Sequence, residues 1–305
     1  MILRKEIDKV FMKIKRINDS DLRLLYDNMI VQENNLNSYS MVSIFGDEVY
    51  KIYIKEDFKS KQNIKIVKKE FAYSYLRNFE ELVLPNSIIK YNNHIVGFTM
   101  PYINGVTLSK LYNCNDKKLL KNVFYQILDL IEKYSKLSVP FSIGDLHEDN
   151  IIVDNNNKIH IIDCDSFIIN NNEIYNENGR MSKGKYVSFG IDFKKVKYFI
   201  HFDYHTDYYC TLLTLISLLL KISNIDLETY FNNVYVTNDN YINQLLESAY
   251  NNINNFILDK KAIEYIIDNM DNIVFIRQEQ KKEKKIYRNI SDDELDEVIR
   301  KVRTL

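Results

Sequence analysis

Ile143-Gly-Asp-Leu-His-Glu-Asp-Asn150, followed by Ile151-Ile-Val153, the turn Asp154-Asn-Asn-Asn157 and Ile159-His-Ile-Ile-Asp163, is the most informative stretch of this 305-residue chain. Two short apolar β-rich runs flank an asparagine-rich turn, a hairpin pattern. Acidic, amide and imidazole groups gather just before the first run and just after the second. Polar groups carried on a loop beside a rigid hairpin are a common way of building a reactive site.

Working outward, the chain before this stretch reads as strands and the chain after it as helices. Met41-Val-Ser-Ile-Phe45, Gly46-Asp47 and Val49-Tyr-Lys-Ile-Tyr-Ile54 predict a hairpin with a tight turn. Lys61 to Phe79 returns to helical spacing through Ile64, Val67, Phe71 and Tyr75. Val83 to Ile89 and Ile95 to Ile103 predict two further strands, turning at Tyr91-Asn-Asn-His94. Lys117 to Leu137 predicts a long helix with Leu120, Phe124, Ile127, Leu128 and Ile131 on one face, ending before Pro140. Helices are expected again from about Asp207 to the end, and Ser291-Asp-Asp-Glu294 supplies a capping-box start for the last one. At the amino terminus, Leu3, Ile7, Val10, Phe11, Ile14 and Ile17 recur at helical spacing between basic residues, which predicts an amphipathic helical segment over 1–28.

Composition narrows the class. With 46% hydrophobic and 27% charged residues the chain is globular, and a formal net charge of −1 gives no global field to recruit nucleic acid or an anionic membrane. Cys114, Cys164 and Cys210 are odd in number and widely spaced, which suggests neither a disulfide framework nor a zinc site and fits a reducing cytoplasm. Residues 1–16 lack the uninterrupted apolar core of a signal peptide, and Cys210 to Leu220 is too short to span a bilayer. The basic runs Arg4 to Arg16 and Lys281 to Arg288 read as solvated faces. Seven glycines are about a third of the ordinary share, which weighs against a fold with many glycine-rich phosphate loops.

Asp145-Leu-x-x-x-Asn150, with Asp163 thirteen residues further on at the end of an apolar strand, resembles the protein kinase-like superfamily. That family writes its catalytic loop H-R-D-L-x-x-x-N and opens its metal-binding motif D-F-G with an aspartate. Val49-Tyr-Lys51 lies where the family has its strand lysine, and Glu70 follows nineteen residues later in the next predicted helix. The resemblance runs from about Met29 to Leu220. It implies an α+β, bilobal protein kinase-like fold with a small antiparallel-sheet N-lobe over 29–103 and a mainly helical C-lobe over 104–305.

The resemblance also implies roles. Lys51, oriented by Glu70, would hold the α- and β-phosphates of ATP; Asn150 and Asp163 would bind magnesium; Asp145 would take the proton of the acceptor hydroxyl. Met100-Pro-Tyr-Ile103 resembles the hinge between lobes, with Met100 as gatekeeper and the Pro101 carbonyl and Ile103 amide at the adenine edge. His147 would contact the γ-phosphate, and Asp165 would stand behind the metal. Asp207 resembles the buried aspartate that braces the catalytic loop. The implied activity is an ATP- and magnesium-dependent kinase acting on a protein Ser or Thr hydroxyl; the alternatives are a small-molecule phosphotransferase and a nucleotide-binding pseudokinase.

Departures from the pattern carry information. Gly144 replaces the arginine that pairs with a phosphorylated activation segment in many kinases, and Ile143 replaces the histidine. Gly-Asp-Leu-His-x-x-Asn is similar to the aminoglycoside and choline phosphotransferase branch, which keeps a small alcohol or amine substrate open beside a protein. Asp163-Cys-Asp-Ser-Phe167 lacks the D-F-G glycine, and no Ala-Pro-Glu follows. Ser182, Tyr186 and Ser188 fall in the expected activation segment. Counting back from Lys51, the phosphate loop should lie at Ile30 to Ser38, which has no glycine. The amides of Asn34, Asn35 and Asn37 would have to approach phosphate instead, asparagine tolerating left-handed backbone better than most residues.

Overall fold

The computed structural model describes residues 13–28, 40–53, 76–112, 116–138, 141–163, 167–169, 203–222 and 235–277. The expected helix over 61–79, the phosphate loop at 30–38 and the last helix near Ser291 lie outside the described residues, apart from Leu76 to Phe79.

A five-stranded sheet forms the amino-terminal part, in the order β1-β4-β5-β3-β2. Its strands are β1 (Lys13–Ile17), β2 (Ser40–Phe45), β3 (Glu48–Tyr53), β4 (Ser87–Tyr91) and β5 (His94–Pro101). The β2–β3 hairpin turns at Gly46, whose φ of 62° is the left-handed region that glycine enters without steric cost. The β4–β5 hairpin turns at Asn92 and Asn93, with φ of 48° and 63°, the consecutive positive values of a tight two-residue hairpin turn. Strand alternation sends Tyr50 and Ile52 to one face, Lys51 and Tyr53 to the other.

Both faces are covered. On the outer face, Leu25, Met41, Tyr50, Ile52, Ile89 and Val96 form a small core, sealed by α1 (Asp19–Asp27) with Ile17, Leu22 and Tyr91. On the inner face, Tyr53, Ile88, Phe98 and Met100 join the main core, which continues into the helical part. At Gly97 a Cβ would overlap the Lys51 carbonyl oxygen, so the close approach of β5 to β3 behind the strand lysine requires glycine.

The amino-terminal helix predicted through Ile14 and Ile17 is corrected by β1: Lys13 to Ile17 is a strand, paired parallel with β4 from Lys13 opposite Ser87 to Ile17 opposite Tyr91. The spacing of apolar residues fits a helix, but the edge of β4 offers unpaired backbone groups that a strand satisfies. Lys15 then lies across the outer face, ion-paired to Glu48 and over the Tyr50 ring at 4.7 Å. Its neighbour α1 is a helix, opened by the Asn18–Asp21 capping box. The fourth strand is also displaced from the expected Val83 to Ile89. Val83 donates its N–H to the Ile161 carbonyl at 2.9 Å, and the sheet strand runs Ser87–Tyr91.

The carboxy-terminal part is mainly helical. Among the described residues its helices are α2 (Lys117–Ser135), α3 (Tyr204–Ile222), α4 (Asn240–Asn251) and α5 (Lys260–Asn269). α2 starts where Asp116 accepts the Leu119 N–H, and buries Leu120, Val123, Phe124, Ile127, Leu128, Leu130, Ile131 and Tyr134. From Thr206 to Leu220, α3 is buried on every side, so its polar members Asp207, Thr211, Thr214 and Ser217 must find hydrogen bonds within the protein. Short strands dress this core: β6 (Gly105–Thr107), β8 (Ile151–Asp154) and β9 (Ile159–Ile161) form one sheet, and β7 (Phe141–Ser142) pairs with β10 (Ile168–Ile169). The helices expected without break from Asp207 are interrupted by a small sheet of β11 (Tyr235–Thr237) and β12 (Phe275–Arg277), which lies beside α4 and pairs two short runs distant in sequence. Among the described residues no helix is long and apolar enough to cross a membrane.

Candidate active site

The predicted hairpin forms as β8 and β9, turning at Asp154 to Asn157, with Asn157 at φ 61°. Asp154 Oδ1 accepts the N–H groups of Asn156 and Lys158, and His160 sits 3.1 Å from its other oxygen. These contacts hold the Asp154 carboxyl below its ordinary pKa, the His160 hydrogen bond foremost. The hairpin is thus a stiff support. At its two open ends stand the loop 143–150 and Asp163, joined where Ile162 donates its N–H to the Asn150 carbonyl at 2.9 Å.

The start of the loop is fixed by Asp207, which is completely buried in the first turn of α3. Its Oδ2 accepts the Tyr134 hydroxyl at 2.6 Å and the Ile143 N–H at 2.9 Å, and its Oδ1 accepts the Ser142 hydroxyl at 3.0 Å. Ser142 Oγ in turn accepts the Gly144 N–H at 3.1 Å. Burial dominates and pushes the Asp207 carboxyl up to about 7, against the hydrogen bonds, which favour the charged form. Gly144 has a φ of 77°, so a residue with Cβ would be strained where the chain turns toward Asp145.

Beyond Gly144 the loop turns Leu146, His147 and Glu148 inward and leaves Asp145, Asp149 and Asn150 at least partly open to solvent. Leu146 is buried in the core, while Asp145 keeps its carboxylate partly exposed. Asn150 donates its side-chain N–H to the Asp145 carbonyl at 3.0 Å, which commits the amide nitrogen and leaves the amide oxygen as its ligating atom. His147 is nearly buried; its Nδ1 accepts the Asp149 N–H at 3.2 Å, and its Nε2 lies 3.6 Å from Asp145 Oδ2. The imidazole therefore packs against the Asp145 carboxylate.

Asp163 brings the other half of the site. It holds a φ of 67°, unusual for a residue with a side chain and a form of backbone strain that concentrates at functional positions. Its Oδ1 accepts from Lys51 Nζ, an ion pair that joins the sheet to the helical part across 112 residues of sequence. Lys51 reaches it because β3 turns that side chain to the inner face. Met100 lies buried on the same inner face, Pro101 is exposed at the end of β5 opposite Glu48, and Ile103 is half-buried beyond it. Tyr102 donates its N–H to the Asp47 carbonyl at 2.9 Å, tying this strand end to the β2–β3 turn.

The structure thus joins Lys51 to Asp163 and carries Asp145, His147 and Asn150 on one braced loop. Glu70, Asn35, Asp165, Ser182, Tyr186 and Ser188 lie outside the described residues. Sequence reading missed Tyr134 and Ser142 as partners of Asp207; Tyr134 follows Lys133 and Ser142 lies between Phe141 and Ile143, and nothing in either local pattern distinguishes them. The donor set fits magnesium: one carboxylate and one amide oxygen are hard ligands, and this ion usually takes one or two carboxylates and completes its shell with substrate phosphates and water.

Residues 37–175 match the RIO domain, a little under half of the chain and a span that contains Lys51, Met100, Asp145, Asn150 and Asp163. The RIO domain is an atypical kinase-like family within the protein kinase-like superfamily. The fold is that of a bilobal protein kinase-like domain, and the family resembled over residues 37–175 is one of atypical kinase-like ATP-binding phosphotransferases or ATPases. A comparison with curated proteins found no match.

Proposed function

We propose that the protein transfers the γ-phosphate of ATP to a Ser or Thr hydroxyl of a protein substrate. The observation that carries this reading is the Lys51–Asp163 ion pair, formed beside a loop that presents Asp145 and Asn150. In phosphoryl transfer the protein does little covalent work, so positioning and charge neutralisation account for most of the rate. Lys51 neutralises the α- and β-phosphates. Asn150 Oδ1 and Asp163 would hold a magnesium ion, which would supply charge stabilisation on the phosphate oxygens. The Pro101 carbonyl and the Ile103 amide receive the adenine edge. The acceptor oxygen forms its bond to the γ-phosphorus, the bond to the ADP oxygen breaks, and the acceptor's proton passes to Asp145.

Gly144 and His147 favour a second reading, a phosphotransferase for small alcohols or amines, because they match that branch of the superfamily. A cytoplasmic location accompanies either reading. With labelled ATP and magnesium, wild-type protein should label itself or a generic protein substrate, and Asp163→Ala or Lys51→Met should lower the rate at least a hundredfold, the scale of lost charge stabilisation at such a site. Transfer to small alcohols or amino-sugars alone would replace the protein acceptor by the second reading. Nucleotide binding with no turnover would leave a binding module.

A further inference from the structure

Asp207 fixes the loop at Ser142 and Ile143, but the groups assigned to chemistry lie further along, at Asp145 and Asn150. Between them stands Glu148, whose neighbour Asp149 faces solvent while Glu148 itself is 1% exposed. Its Oε1 accepts the Ser217 hydroxyl at 3.1 Å, and Ser217 is 7% exposed, well inside α3. The Glu148 carbonyl accepts the Ser109 N–H at 3.0 Å. A carboxylate is costly to bury unless hydrogen bonds hold it, so a glutamate turned inward from a polar loop calls for a structural purpose.

We propose that Glu148 is a positioning residue, pinning the far half of the catalytic loop to α3 through Ser217. α3 then holds the loop at two places, Asp207 and Ser217. These are ten residues apart, about 15 Å along the axis at a rise of about 1.5 Å per residue. Ile162, Ser109 and the buried Leu146 also hold 145–150, so Asp207 and Ser217 are the two attachments that set the loop against α3 itself. The second makes the Asp145 carboxylate and the Asn150 amide parts of one body with the helix. The effect on turnover rests on the phosphotransfer reading; the attachment itself does not.

Ser217→Ala and Glu148→Leu remove the contact from either side, while Glu148→Gln keeps an acceptor oxygen for Ser217. Amide hydrogen exchange in the full chain reads the attachment directly. Protection at Asn150 and Ile162, whose N–H groups donate to His147 and Asn150, should fall about tenfold in Ser217→Ala and more in Glu148→Leu, the scale of a hydrogen bond to a charged group. Ile143, held by Asp207, should keep its protection, and Glu148→Gln should retain most of it throughout. In ATP turnover, kcat should fall about tenfold in Ser217→Ala with KM for ATP within about twofold, since the contact aligns the transition state more than it binds nucleotide. Unchanged protection at Asn150 and Ile162 in Ser217→Ala, or equal loss across the whole of α3, overturns the proposal. A wild-type protein without turnover instead removes the phosphotransfer reading and leaves the attachment to be decided by exchange alone.

Discussion

Replacing Asp207 by asparagine preserves the shape of the side chain and removes its ionisation, which isolates the electrostatic consequence of burying an acid under the loop 143–150. The carboxyl has an ordinary value of 3.8 and is pushed up to about 7, chiefly by burial. Between these values the folded protein holds a proton that the unfolded chain has lost. Stability contributed by Asp207 is therefore fully present below about pH 4 and falls as pH rises toward 7. From pH 5 to pH 7 the loss amounts to about 2 kcal/mol, by integrating the difference in bound protons. Urea unfolding of wild type and Asp207→Asn at pH 5, 6 and 7 measures it: the stability of wild type relative to the variant should decline by about that amount. Asp207→Ala should cost about 3 kcal/mol or more across the range, because the Tyr134 and Ser142 hydroxyls and the Ile143 N–H all lose their acceptor in the interior. A wild-type-minus-asparagine difference that stays flat from pH 5 to 7 would refute the reasoning, showing that the converging donors hold the carboxylate charged despite burial.

Two further substitutions test the sheet. Gly97→Ala places a methyl group against the Lys51 carbonyl, so β3 and β5 must separate; a loss of about 2 kcal/mol or more in thermal or urea unfolding is expected, with weakened ATP binding because Lys51 moves with its backbone. Leu25→Ala opens a cavity under α1 on the opposite face and should cost about 2–5 kcal/mol, while kcat per folded molecule, measured at low temperature, stays at the wild-type value. An unstable Gly97→Ala with unaltered nucleotide affinity would show that the inner face does not follow the Lys51 backbone.

The parts of the fold legible in sequence are those set by neighbours in the chain. The β2–β3 hairpin follows from two β-rich runs around Gly46, the β4–β5 turn from Asn92 and Asn93, and α2 from its apolar face and the Asp116 cap. The loop 143–150 and the hairpin behind it are likewise visible, because five- and thirteen-residue spacings on short strands fix which side chains can converge. Elements that answer to distant partners are not. Lys13 to Ile17 carries helical periodicity and becomes a strand because β4, more than seventy residues away, has an open edge. The fourth strand starts at Ser87 rather than Val83 because Val83 is already bonded to Ile161 in the other part of the protein.

The sequence by itself determined the chemistry on offer: an acid and an amide in a loop, a lysine on a strand, and an acid at a strand end. Residue type and short spacing are local properties, and they survive without knowledge of packing. Only the tertiary structure decided what that chemistry rests on. Tyr134 and Ser142 meet Asp207, and Glu148 meets Ser217, because α2 and α3 pack behind the loop, and buried polar groups must find partners wherever packing delivers them. The same packing turns Lys51 toward Asp163, since a strand lysine faces the helical part only when the register of the sheet and the covering of its other face by α1 fix which side is inner.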